Sequence, residues 1–193
     1  DGGKVLACTP TATDLCLNGN RFRARVSWRN YNDGSTGSGQ AVSLTGDTGY
    51  AGQPQARHHN TITVGGVGQG DEGAHDVWRD MSQAALDTIR ITRATADAAG
   101  VRVEADAAGA YPPAAGLARF RRVLTFDGKA TFTVEDAIEA TAPKTVEWFL
   151  HADAPFAAAG DGFLLDASPA SLRVRIAAPA GSKTTTGPTN LMA

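Results

Sequence analysis

Residues 21–29, RFRARVSWR, alternate strictly, with Phe22, Ala24, Val26 and Trp28 on one parity and Arg21, Arg23, Arg25, Ser27 and Arg29 on the other. A period of two places all the apolar side chains on one face of an extended chain, the pattern of a half-buried antiparallel strand with one wet face. The next ten residues, NYNDGSTGSG at 30–39, are dense in Asn, Asp, Gly and Ser and predict a turn into a second strand around 40–44. Together the two strands make a hairpin. Further strands are predicted over 61–64, 88–92, 101–105, 117–126, 130–136, 145–151, 162–166 and 171–176. Short strands separated by Gly, Pro and Asp turns predict an all-β chain, an antiparallel β-sandwich with an N-terminal β-hairpin module.

Helix has little room in this pattern. VWRDMSQAALD at 77–87, after the Gly-rich GGVGQGDEG, predicts one or two helical turns. TRATADAAG at 92–100 is interrupted by Thr and Gly and reads as a turn between two strands. The polar tail APAGSKTTTGPTNLMA predicts an irregular edge or frayed end.

Length and charge narrow the function classes. A chain of 193 residues with 42% hydrophobic content suits one domain, or two small ones sharing a sheet. Twenty acidic against eighteen basic residues give a net charge of -2, which leaves no electrostatic footprint for nucleic acid and no polybasic run for an anionic membrane. No stretch approaches the roughly 18 apolar residues of a membrane span, and DGGKVLACTP lacks the regions of a signal peptide, so a soluble chain, mature or trimmed, is expected. Cys8 and Cys16 enclose the loop-like CTPTATDLC. They read as a local disulfide, or else as two reduced, partly buried thiols; a disulfide implies a secreted or periplasmic protein.

Several catalytic motifs are missing. GGVGQG lacks the GK[ST] ending of a phosphate loop, and there is no GxSxG elbow, HExxH or CxxC pair. Chemistry must then come from scattered side chains. In HNTIT, His59 shares a face with Thr61 and Thr63, opposite the more apolar parity of Asn60, Ile62 and Val64; it is open to a ligand, or else caps a strand. His151 closes VEWFLH on the face of Glu147 and Phe149, and His75 reads as a surface histidine. Arg far outnumbers Lys, and guanidinium groups suit bidentate recognition of carboxylate or sulfate, although Arg21, Arg23, Arg25 and Arg29 equally read as one solvated strand face. Tyr31, Tyr50, Tyr111 and Trp78 read as exposed aromatics, either a sugar-stacking platform or local packing cover.

Two stretches carry resemblances. LCLNGNRFRARVSWRNY and TGSGQAVSLTGDTGY, within residues 8–50, resemble a small β module of secreted bacterial proteins. From about residue 57, HNTITVGGVGQ, LARFRRVLTFDG, FTVEDAIEA and VEWFLHAD are similar, in order, to strands of the C-terminal β-sandwich of the heparinase II/III-like polysaccharide lyases. The expected organisation is a small β module over 1–50 and a lyase-type sandwich over 51–193.

The lyase resemblance implies a cleft between an α/α toroid and this β domain, in which an acidic, uronate-containing polysaccharide is cut by β-elimination. The family's principal Tyr and His bases come from the toroid, and this sequence has no segment long or helical enough to form one. The resemblance therefore implies a lyase β-sandwich that is incomplete without an α/α toroid, and the partners to expect are an acidic polysaccharide and either the missing toroid domain or a second copy of the chain. The alternative is a non-catalytic carbohydrate-binding or structural module. The resemblance further implies His59 as a catalytic residue and Asn60, Gln69 and Arg119 as substrate-binding residues. No cofactor is required, although some relatives hold a divalent ion in this domain, which would place Zn or Ca on His59, Asp76 and His151.

Overall fold

The computed structural model describes residues 15–18, 21–25, 41–43, 55–70, 82–152, 154–167 and 170–188. Of these, 15–18, 21–25, 41–43 and 167 are described by backbone alone. The chain is all-β, with antiparallel sheets throughout and, among the described residues, one four-residue α-helix. No helix there is long and apolar enough to cross a membrane. Contacts divide the described residues into two compact units, one drawn from Asp1–Gly52, His58–Asn60 and Leu150–Ala193, the other from Gln53–Arg57 and Thr61–Phe149.

The first unit holds two three-stranded sheets. In one, β1 (Leu15–Asn18), β2 (Arg21–Arg25) and β3 (Ala41–Ser43) lie in sequence order, so the described part of the alternating arginine segment, Arg21–Arg25, is a strand and pairs with the following one as a hairpin partner. In the other, β10 (Phe156–Ala159), β11 (Gly162–Ala167) and β12 (Ala170–Val174) form a meander. Gly162 opens β11 because a Cβ there would sit 2.1 Å from the Val174 carbonyl oxygen. Sequence patterning missed β10, whose FAAA has no apolar-polar contrast.

The second unit is built on a four-stranded meander of β5 (Arg90–Asp97), β6 (Gly100–Asp106), β7 (Leu117–Phe126) and β8 (Phe132–Ala140). The expected turn over 92–100 is corrected here, because β5 runs through Asp97 and only Ala98 and Ala99 turn. Arg93 to Asp97 pair residue by residue with Glu104 to Gly100, and this ladder outweighs the weak strand preference of Ala and Asp. The start of β8 moves from the expected 130 to Phe132. The Asp127 carboxylate accepts the backbone N–H groups of Lys129, Ala130 and Thr131 at 2.9, 2.9 and 3.0 Å, closing a turn that consumes these residues and holds the carboxyl well below its usual range.

The faces of this sheet differ. Phe120, Arg122, Leu124 and Phe126 of β7 share a face with Ile138, Asp136, Val134 and Phe132 of β8. Across it lies a two-stranded sheet, β4 (Ile62–Val64) with β9 (Val146–Trp148), and the core of Ile62, Val64, Ala110, Tyr111, Ala115 and Phe120 fills the space between. Phe120 is 1% exposed and meets Tyr111 edge-on at 5.9 Å, a burial that contributes roughly 1.5–3 kcal/mol. After β4 the chain reverses through Gly65 and Gly66, whose positive φ of 62° and 77° suit a tight hairpin turn, so the Gly-rich loop has a backbone role. A short helix, α1 (Gln83–Leu86), starts at Ser82, whose hydroxyl accepts the Ala85 N–H, at the end of the window where helical turns are expected.

The opposite face of the meander is charged. Glu104, only 7% exposed, accepts from Arg102 Nε at 2.9 Å and from Arg121 Nη2. The two guanidinium groups, Arg121 foremost, hold its carboxyl below the ordinary 4.5. A carboxyl lowered by folding adds stability above its unfolded pKa, near 4.3, and loses it as pH falls through the folded value. A Glu104→Gln chain is therefore expected to be less stable than the parent at neutral pH, with the gap closing below about pH 4.3. Urea midpoints measured from pH 7 to pH 3 test this, and a gap independent of pH would show that the ion pairs are not its cause.

Candidate functional site

Asn60 ties two histidine-bearing segments together. Its Oδ1 accepts the backbone N–H of His151 at 2.7 Å, across 91 residues of sequence, within the first unit. His58, His59, Asn60 and His151 are all half-buried. Among the residues expected to hold a metal, His59 and His151 thus belong to segments that meet, while Asp76 lies outside the described residues. Among the described residues no three His, Cys, Asp or Glu side chains gather closely enough to hold an ion. Of the expected disulfide, Cys8 lies outside the described residues and Cys16 is described only as a backbone position in β1.

The residues after Asn60 depart from the expected wet face. Thr61 and Thr63 are 8% and 1% exposed, and Ile62 and Val64 are fully buried, so β4 is covered on both sides. Each hydroxyl has a partner, as burial demands. Thr63 Oγ1 donates to Glu147 Oε2 at 2.8 Å on β9. Thr61 Oγ1 accepts from Gln69 Nε2 at 3.2 Å and lies 3.4 Å from the Tyr111 hydroxyl, which donates to the Ile62 carbonyl at 2.9 Å. The chain of bonds runs Gln69, Thr61, Tyr111, Ile62 carbonyl.

Tyr111 is therefore not an exposed platform. It is 7% exposed, and burial raises its phenol above the ordinary 10, with its proton committed to a backbone carbonyl. Such a phenol suits a structural donor rather than a base. Tyr31, Tyr50 and Trp78 lie outside the described residues. Gln69 uses its amide on Thr61, on the core side of the meander. Arg119 projects from the opposite, charged face, where its Nη1 pairs with Glu139 Oε1 at 2.9 Å. Both partners are largely exposed, so the pair is worth no more than about 1 kcal/mol. Gln69 and Arg119 are thus not brought together.

A constellation that sequence reasoning missed lies on the core face. Arg122 Nε and Nη2 donate to Asp136 Oδ1 and Oδ2, both at 2.7 Å, in a bidentate pair whose side chains are 18% and 9% exposed. Trp148 of β9 donates its indole Nε1 to Asp136 Oδ2 at 3.0 Å, and Arg122 lies 5.4 Å from the Phe120 ring centre. The signal was present. Arg122 and Asp136 each interrupt an apolar alternation, in FRRVLTF at 120–126 and FTVEDAI at 132–138, and each faces the other across the β7–β8 ladder.

Ordered matches to β-strand segments around HNT, LARFRR, FTVEDAIEA and VEWFLH thus sit on an all-β, antiparallel framework. The model of the heparinase II/III-like, C-terminal family matches residues 36–186, more than three quarters of the chain. The chain belongs to this family. The heparinase II/III-like match begins upstream of residue 57, where the family's motifs start to be legible, and takes in β3 of the N-terminal sheet. It also spans the Asn60–His151 junction and the Arg122–Asp136–Trp148 cluster. No curated protein matches the chain.

Proposed function

We propose that this heparinase II/III-like domain forms the β-sandwich wall of a secreted or periplasmic polysaccharide lyase, working with an α/α toroid on an acidic, uronate-containing polysaccharide. The reaction is β-elimination. A base removes the proton at C5 of the uronate, the neutralised carboxylate shares the resulting charge as an enolate, and the 4-O-linked sugar departs as an acid protonates its oxygen. The proton lost at C5 and the proton gained by the leaving group balance, and the product carries a C4–C5 double bond. The reading is supported most by the meeting of the HNT segment with His151, inside a chain of this family. His59 is assigned to the substrate, with Asn60 as the residue that positions the turn carrying it.

The test is spectroscopic. The chain, alone and mixed with an α/α toroid domain of the same family, is incubated with alginate, heparin and chondroitin while the ultraviolet absorbance of unsaturated uronate is followed. A rise with one polymer in the mixture is expected. Absence of product with every polymer, in a mixture shown to associate, would sink the catalytic reading and leave a non-catalytic carbohydrate-binding module.

A further inference from the structure

We infer that Trp148 is a stacking platform for a single pyranose ring of a polysaccharide. The residue is 39% exposed at the end of β9, whereas its cross-strand partner Ile62 is fully buried. The one polar atom of the ring, Nε1, is engaged by Asp136, and Asp136 is gripped at both oxygens by Arg122. An exposed aromatic side chain is thus held from below in one orientation before any ligand arrives. A contact that needs no ordering on binding retains more of its free energy.

The chemistry of the surroundings selects the occupant. A pyranose ring presents a patch of C–H groups on one face and hydroxyls around its edge, which suits a fixed indole face beside polar groups. The charge of Asp136 is matched by Arg122, so an acidic sugar laid on the ring meets no net negative charge from the support. Val146, 40% exposed and on the same face of β9, extends the apolar contact by one side chain. A protein partner fits poorly. A stable protein interface covers about 800 Å² on each side, and the only other large hydrophobic side chain exposed in this unit, among the described residues, is Ile91 on β5.

This inference takes the polymer class from the proposed function, but it is tested by binding rather than turnover. The chain is titrated with oligosaccharides of alginate, heparin and chondroitin, and with a neutral cello-oligosaccharide. Trp148→Ala is expected to weaken the best of them about tenfold, and Trp148→Phe less. A chain carrying Trp28→Phe and Trp78→Phe, with Trp148 as its sole indole, is expected to show sugar-dependent protection from acrylamide quenching, which covers the case in which Trp148→Ala does not fold. Unchanged affinity in a folded Trp148→Ala chain, or unchanged quenching in the sole-indole chain, overturns the platform even if unsaturated product is formed. Tryptophan-dependent binding without product upholds the platform while the lyase reading falls. Failure of the parent chain to bind any of these sugars overturns the platform, whereas the lyase reading stands or falls on product formation in the toroid mixture.

Discussion

Replacing His59 with Ala is expected to lower the rate of uronate elimination by about 10²–10⁴-fold in the toroid-supplemented assay, the range that a positioned acid or base contributes. The expectation rests on where the chain holds this residue. The turn that carries His59 is pinned through Asn60 to the backbone of His151 by a part-buried bond, which fixes the backbone from which the imidazole projects. Asn60→Ala keeps the imidazole and removes the pin, leaving the His151 N–H without that acceptor, and a smaller loss on the order of tenfold is expected. The two variants are separated by kinetics. A group that transfers a proton in the transition state lowers kcat and kcat/KM together, whereas one that only binds substrate raises KM. A His59→Ala enzyme that stays within twofold of the parent in kcat would move His59 from chemistry to strand capping.

How much of this was legible depends on whether the deciding contact is local. β7 emerged from the sequence with its true limits because LARFRRVLTF alternates and is bounded by Gly116 and Asp127, both turn residues. β5 did not, because RITRATAD carries one large apolar residue, Ile91, and no apolar-polar alternation, and its strand state is set by the ladder to β6. The same holds around the candidate site. The HNT segment could be singled out by resemblance, but the bond that joins it to His151 crosses 91 residues and leaves no local trace. Period-two reasoning assigned Thr61 and Thr63 to solvent because it assumes one wet face. Tyr111 and Gln69 close over Thr61, and Thr63 bonds to Glu147, so neither hydroxyl is free to meet a ligand.

The Arg122–Asp136 pair marks where a local rule failed and where the largest loss of stability is expected. Charged residues at inward positions of β7 and β8 contradict the apolar pattern, and they are tolerated because each neutralises the other through two bonds in a nearly dry setting. Asp136→Ala removes the carboxylate and leaves the guanidinium desolvated without its bidentate partner, at an expected cost of about 3–5 kcal/mol. The indole of Trp148 loses its anchor in the same step, so its fluorescence should report a less fixed ring. Replacing both partners, Arg122→Met with Asp136→Leu, removes the charges together and is expected to recover most of that loss, since buried ion pairs exchange for apolar residues at little net cost. Urea denaturation of the parent, Arg122→Met, Asp136→Leu and the double variant completes the cycle, with Asp136→Ala measured beside them. A loss under about 1 kcal/mol for Asp136→Ala, the range of an exposed pair, would mean that the two charges are solvated as surface groups are, and that the orientation of Trp148 has another source.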